Sequence, residues 1–480
     1  MAIQVHQKKY ERQLLGLNKW KTSKSLGLSS NDGWGTLHWC TGVGKTYAAC
    51  LCANLMLSRN PSHTFIIVVP SDELYKQWSN EIKNFITEQK YHINFRVFTV
   101  HALMNLMNEG KKLECSLLIL DEIHEYYSDD RLNLFNNSFI FTKWCLGLTA
   151  TYEDIHKRHL NIQGILPIVD TIDEEEAERE GYISKSIEYN VAISLNDKES
   201  SKYEFHSKEI ALNNSKFGGR GLNIANAILS EGGKEVAMKY ASSMGWRQNL
   251  NPANDKDMEI LALWSPNKIM GYAKNYMDAV RERKVLIYCA INKLVAAKEI
   301  AIKFDTLKTI CFSQSTQFAD ALASSINSYY REKEEKLPCV VYHSQLSTQI
   351  VMDEITGKEK KKGKTKLKRE AIEAIRSGRA RIISTASSLD KGFDVKDIRM
   401  AITTSGTQNP TQYTQRKGRA VRREEEDTIV LVINLYVKNT VDEVWLRKRQ
   451  SLTKNVIYWV DTVNDINYSP KQSTINIMEV

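Results

Sequence analysis

This 480-residue sequence lacks several things that would each have named a class of protein. Its eight cysteines, at 40, 50, 52, 115, 145, 289, 311 and 339, form no CxxC pair and no Cys/His group with zinc-ligand spacing. Zinc ribbons and fingers are therefore excluded. Cys115, Cys311 and Cys339 sit in or beside apolar strand-like runs, as reduced core thiols of a reducing compartment do. No apolar run approaches the ~20 residues that cross a bilayer. The opening MAIQVHQKKYERQLLG has no apolar stretch of secretory type. These absences predict a soluble, cytoplasmic protein with no membrane partner. No carboxylate/lysine cluster of nuclease type is present either. Charge of one sign is also in short supply. Lys and Arg outnumber Asp and Glu by 66 to 57, a net +9, which fits a solvated surface as well as a polyanionic partner.

What is present is a repeated alternation of strand and helix. Apolar, β-branched runs at Thr64–Pro70, Phe95–Val100, Cys115–Asp121 and Trp144–Thr149 are separated by helical patterns. In Asp72–Thr87, for example, Leu74, Trp78, Ile82 and Ile86 recur at three-to-four spacing. The rhythm returns at Thr306–Ser313, Pro338–Ser344, Ala380–Ala386, Ile398–Thr404 and Thr428–Tyr436. The helices predicted between these runs include Thr316–Lys333 and Leu367–Arg379. Such alternation predicts parallel sheets covered on both faces. The stretch between the two halves reads as helices broken by turns at Lys216–Gly221 and Asn249–Asp255. The expected fold is α/β: two parallel-sheet lobes in tandem, 1–194 and 305–480, with a mainly helical insertion and linker at 195–304. Lys358–Arg369 (KEKKKGKTKLKR) is almost wholly basic, and is either a solvated mobile loop or a phosphate-backbone contact.

Two segments carry chemistry. In 37–50, LHWCTGVGKTYAAC, the run Thr41-Gly42-Val43-Gly44-Lys45-Thr46 precedes a predicted helix. Glycines let backbone N–H groups close around phosphate oxygens, and the helix offers its positive end to the anion. Lys45 would pair with the β and γ phosphates of ATP, and Thr46 would place its hydroxyl on Mg2+. The usual pattern has glycine where this chain has Trp39. In the second segment, the apolar run Leu117–Leu120 delivers Asp121 and Glu122 to a strand end, where open α/β sheets bind ligands. Asp121 suits Mg2+, and Glu122 suits a general base polarising the attacking water.

With GVGKT, DEIH (121–124) and LTAT (148–151) in this order, the sequence resembles the superfamily 2 helicases of DExH type. Ile66–Trp78 resembles motif Ia, and Thr99–Leu103 the Ib region. Thr306–Leu322 resembles motif IV, and Arg381–Asp394 motif V. Gln415–Arg422 (QRKGRAVR) fits the motif VI pattern QRxGRxxR at each fixed position. Within that superfamily the layout is most similar to the XPB and phage UvsW group of DNA helicases and translocases. The chain departs from its relatives at Trp39 and at Tyr152, where many have proline.

The resemblance implies an ATP-dependent helicase whose two parallel-sheet lobes are RecA-like. Arg419 and Arg422, three apart and so on one face of a helix, would reach the γ-phosphate from the second lobe, with Gln415 assisting. Gly392 and Asp394 would border the nucleotide, and Gln13 would read the adenine or else be an exposed helical glutamine. His124, Thr149 and Thr151 would link the ATP site to the nucleic-acid grip. Ser71, His101, Ser313 and Thr385 would hold phosphates and sugars. Arg220, Trp246 and Arg247 either add contacts or serve the helical region structurally. The expected partner of this monomeric motor is single-stranded, forked or branched DNA. RNA, a restriction or defence assembly using this chain as its motor, and a non-catalytic binding module remain alternatives.

Overall fold

The structure, a computed structural model, describes residues 2–25, 32–135, 139–153, 157–231, 233–243, 245, 250–352, 359–386, 397–420, 429–451 and 456–468. Six strands make the first sheet: β1 (Trp34–Trp39), β2 (Phe65–Val69), β3 (Phe95–Thr99), β4 (Leu113–Asp121), β5 (Ile140–Thr149) and β6 (Ile168–Ile172). They lie in the order β3-β2-β4-β5-β1-β6, with every pairing parallel. Alternate residues of each strand point to opposite faces. Phe65, Ile67, Leu117 and Ile119 enter one apolar cluster, and Ile66, Val68, Leu118 and Leu120 the other. Both faces are therefore buried, as the near-continuous apolar runs require. Each such side chain contributes about 1.5–3 kcal/mol on burial.

The second sheet is built from β7 (Ser186–Ile193), β8 (Thr309–Ser313), β9 (Cys339–His343), β12 (Ile382–Ala386), β13 (Met400–Thr403), β14 (Val430–Val437) and β15 (Ile457–Val460), in the order β15-β7-β14-β13-β8-β12-β9. β10 (Gln349–Met352) and β11 (Glu359–Lys362) form a separate antiparallel hairpin. The sequence boundary at 194 gave β7 to the first lobe, but the structure puts it in the second sheet, beside β14. The reason is a buried polar network. The Glu188 carboxylate on β7 accepts from Tyr413, from Asn434 (2.9 Å) and from Gln450 (2.6 Å). Asn190 bonds both Asn434 and Gln450. Buried polar groups must be satisfied, and only the second lobe carries these partners. The basic run is also not a loop: β11 and the first turns of helix Lys364–Arg376 take up its described part.

The two sheets with their helices cluster as one compact unit (Met1–Ala192, Ala297–Tyr436, Glu443–Val480). A second unit spans Ile193–Ala296 with Val437–Asp442 and is helical. There Ile269, Ala273 and Tyr276 of helix Pro266–Tyr288 pack with Phe217, Ile224 and Ile228. Its first helix, Asp197–Lys216, is capped by Asn196, with Glu199 bonding back to the cap. The turn read at Lys216–Gly221 separates that helix from Gly221–Glu231. Among the described residues no helix is long and apolar enough to cross a membrane.

Candidate active site

The phosphate loop leaves the carboxyl end of β1 and enters helix Lys45–Arg59. Gly42 (φ 89°) and Gly44 (φ 93°) take the left-handed conformation that a side chain would strain. The Lys45 ammonium folds back onto the loop carbonyls of Trp39 (2.9 Å) and Cys40 (3.3 Å). Gln13, from helix Ala2–Lys21, is buried, and its amide donates to Val43 O at 2.8 Å. It stands so close to Gly44 that a Cβ there would come within 2.8 Å of Nε2. The same helix sends Lys9 to Gly42 O (2.8 Å).

Trp39, which stands where a glycine is usual, has a physical account. Its ring is fully buried, and Nε1 donates to Asp170 Oδ2 at 2.8 Å. Asp170 also receives Arg12 (2.7 Å) and Lys19 (2.6 Å) of the first helix. Gly16 of that helix makes room for the indole, because a Cβ at 16 would overlap the ring. Trp39 thus ties the Gln13 helix to the strand that carries the phosphate loop.

β4 ends at Asp121, and Glu122 follows in a left-handed turn (φ 53°). Asp121 is buried and accepts Trp78 Nε1 at 2.7 Å. Burial, with the adjacent Glu122 charge, pushes Asp121 up to about 6, while Trp78 and Lys45 act the other way. Among the described residues Glu122 Oε2 is buried without a hydrogen-bond partner, with His124 Nδ1 at 3.4 Å. His124 Nδ1 also lies 3.1 Å from Thr149 Oγ1. That hydroxyl donates to Thr151 O (2.7 Å) and accepts from Thr151 N (3.2 Å). A short polar chain therefore runs from Glu122 through His124 and Thr149 to Thr151.

The second lobe contributes helix Pro410–Ala420. Gly418 lies directly against Thr41 of the phosphate loop, where a Cβ would overlap the threonine side chain. Gln415, on the same helix, is buried. Arg416 is buried and serves the second lobe itself: it donates to Ser405 O (2.8 Å) and lies over the Phe312 ring. The helix backbone carries Arg419, whereas Arg422, Gly392, Asp394, Trp246 and Arg247 fall outside the described residues.

The residues expected to grip nucleic acid divide. His101 is exposed at the start of helix Val100–Asn108, and Ser71 caps helix Asp72–Phe85 by accepting Leu74 N. Arg220 is exposed. Ser313 and Thr385 are buried on neighbouring strands, and the Ser313 hydroxyl lies 2.9 Å from Ser315 O and 3.1 Å from Thr385 O. Ser313 here is an internal tie, because its hydroxyl is spent within the lobe; Thr385 Oγ1 has no partner. Sequence reasoning did not single out Lys9, Asp170 or Lys417 as site residues, or Trp78 as a partner of Asp121. Trp78 had one signal, its helical register within an apolar stripe. Asp170 had none.

These residues fit a magnesium–nucleotide. Two carboxylates meet at one strand end, and one of their oxygens is buried and unpartnered. Facing them is a loop with two left-handed glycines, whose lysine has turned onto its own backbone. Mg2+ asks only one or two carboxylates of a protein, the rest being phosphate and water. A phosphate loop, an acid pair and a basic helix laid over the loop from a second parallel lobe define a nucleotide-hydrolysing motor of the helicase class.

Comparison with known proteins gives the family. Residues 3–154 match the model for the type III restriction enzyme res subunit, and residues 292–424 the helicase conserved C-terminal domain. The chain is 25% identical over 423 residues to a protein of Sulfurisphaera tokodaii named DNA 3'-5' translocase XPB2, covering 85% of this chain and 79% of the relative. In fold it is similar to the Hef helicase domain of Pyrococcus furiosus (TM-score 0.50, 15% identity, 91% of this chain and 96% of that one). It is also similar to S. cerevisiae Dbp5 bound to RNA and ADP BeF3 (TM-score 0.51, 14% identity, 94% and 93%). These matches support a superfamily 2 helicase related to XPB, an ATP-dependent enzyme.

Proposed function

We propose that this protein is an ATP-driven DNA translocase or helicase that acts on single-stranded, forked or branched DNA and works as a monomer. The observation that carries this reading is the seating of helix Pro410–Ala420 on the phosphate loop through Gly418 and Thr41. The DNA preference is supported by the XPB2 relative, whose name describes a DNA translocase. Eight free thiols, seven of them buried, suit a reducing cytoplasm.

Lys45 leaves the carbonyls of Trp39 and Cys40 to pair with the β and γ phosphates. The loop amides and the start of helix Lys45–Arg59 hold the remaining charge. Gln13 holds the loop through Val43 O and is the residue that would read the adenine. Thr46 and Asp121 would hold magnesium, which would supply neutralising charge at the phosphate oxygens. Glu122, with one oxygen free of hydrogen bonds, takes the proton of the attacking water. Arg419 and Arg422, which follow Gly418 in the sequence, would neutralise charge developing on the γ-phosphate, a contribution of about 10³–10⁵ in rate. Loss of phosphate weakens that attraction and lets the lobes part. The His124–Thr149–Thr151 chain passes the event on from the acid end of β4 to the turn after β5. If both lobes hold one strand, alternate closure moves the protein along it.

The test is ATP turnover with single-stranded DNA, forked DNA, RNA or no nucleic acid. Stimulation by DNA, strongest on forked or single-stranded forms, is expected. Stimulation by RNA alone would reverse the choice of substrate, and turnover indifferent to nucleic acid would remove the motor reading.

A further inference from the structure

Lys417 occupies the variable position of QRKGRAVR, and the established chemistry gives it no role. It is only 2% exposed, yet it is a lysine. Its Nζ lies 2.8 Å from Glu174 Oε2 and 3.8 Å from Glu188 Oε2. The two carboxylates come from different lobes. Glu174 begins the short helix after β6, an edge strand whose carboxyl end lies beside that of β1 and the phosphate loop. Glu188 sits on β7 of the second sheet, where Tyr413, Asn434 and Gln450 already hydrogen-bond its other oxygen. One turn of helix Pro410–Ala420 therefore carries two different contacts to the first lobe: Gly418 on Thr41 by shape, and Lys417 on Glu174 by charge.

We propose that Lys417 is a positioning residue, an interlobe latch that holds the arginine-bearing helix over the phosphate loop when the lobes close. Glu188, held by Tyr413, Asn434 and Gln450, keeps a charge 3.8 Å from the ammonium within the second lobe, and Lys417 reaches Glu174 of the first lobe only when the lobes are together. The cation persists despite burial. Burial works against the charge, but Glu174, Glu188 and Glu178 outweigh it and push Lys417 up to about 12. A neutral residue at 417 would leave the helix held by shape alone. ATP would then have to supply the closure as well as its own binding, which raises the apparent dissociation constant by the fraction of molecules no longer closed.

The experiment uses the full chain and two variants, Lys417→Met and Glu174→Gln. The Glu174 side chain is 24% exposed, so the second variant spares the fold even if the first does not. Small-angle scattering along a titration with a non-hydrolysable ATP analogue reads the latch directly: the wild type becomes compact at a lower nucleotide concentration, and at that concentration both variants keep a larger radius of gyration. In DNA-stimulated turnover, both raise KM for ATP by about tenfold and leave kcat within about twofold, because saturating ATP restores closure. The double variant is no worse than Lys417→Met alone, since Glu174 acts through Lys417. An unchanged radius together with an unchanged KM overturns the latch, as does a double variant whose effect is the sum of the two. A fall in kcat alone also overturns it, by making Lys417 a group of the reaction itself. The KM arm rests on the proposed motor function, and the scattering arm does not. A wild type without DNA-stimulated turnover therefore sinks that function while the scattering still decides the latch.

Discussion

Gly418 and Thr41 touch across the two lobes with no space for a methyl group between them. A Cβ at 418 would overlap the threonine Oγ1, Cβ and Cγ2, so the helix has to withdraw or the loop has to deform. Gly418→Ala should lower kcat for ATP by about 10–100-fold, as misplacement of about an ångström does in other sites. Thr41→Gly in the same chain, by removing the obstructing atoms, should return part of the loss. Steady-state turnover of the single and double variants checks this, and a Gly418→Ala enzyme of full activity would show that the contact is not formed during catalysis.

Lys45→Ala and Glu122→Gln should each abolish measurable turnover, by about 10²–10³-fold or more, with secondary structure and thermal midpoint close to wild type. The two should differ in binding. Glu122→Gln keeps the loop and its lysine and retains ATP, whereas Lys45→Ala loses affinity as well. Phosphate release and equilibrium binding of a fluorescent nucleotide separate them. Normal turnover in either variant removes that residue from the site.

Stability should fall with pH through one identified carboxyl group. Burial pushes Glu178 up to about 7, with Lys417 and the Ser186 hydrogen bond working against it. The native state thus favours the protonated form more than the unfolded chain does. The contribution is complete below the unfolded value of about 4.5 and is lost as pH rises through about 7. Glu178→Gln, which stays neutral, should flatten this dependence and stabilise the protein at pH 8 by on the order of 1–3 kcal/mol. Thermal midpoints of both proteins between pH 5 and 8 provide the check; parallel curves would disprove it.

The basic run now has a form that can be tested by substitution. Lys364 and Arg369 are exposed on helix Lys364–Arg376, while Lys362 pairs with Glu370 (3.0 Å) and Lys368 lies over the Tyr342 ring (4.9 Å). Replacing Lys364 and Arg369 with Gln should weaken DNA binding at moderate salt and reduce the slope of log K against log salt by about 1–2. The same change at Lys368 should act more on the helix than on DNA. Titrations at several salt concentrations decide, and an unchanged slope makes the run a solvated surface.

Some of this was written in the sequence because it depends on neighbours in the chain. Alternating apolar runs fix strands, Gly42 and Gly44 fix the loop turn, and an apolar run ending in Asp121-Glu122 fixes where the acids emerge. Those features, with QRKGRAVR, were enough to state the fold and the chemistry. Other features depend on which distant segments share a sheet edge. Ser186–Ile193 falls within the bounds expected for the first lobe, but which sheet receives it depends on Tyr413, Asn434 and Gln450, far along the chain. Trp39 reads as an irregularity until Gly16 and Asp170 are beside it. Lys417 reads as one more surface lysine in a basic helix until it is enclosed by Glu174 and Glu188. Local periodicity and turn chemistry are properties of consecutive residues. The burial of a charge, and the partner that makes the burial tolerable, exist only once the chain has closed on itself.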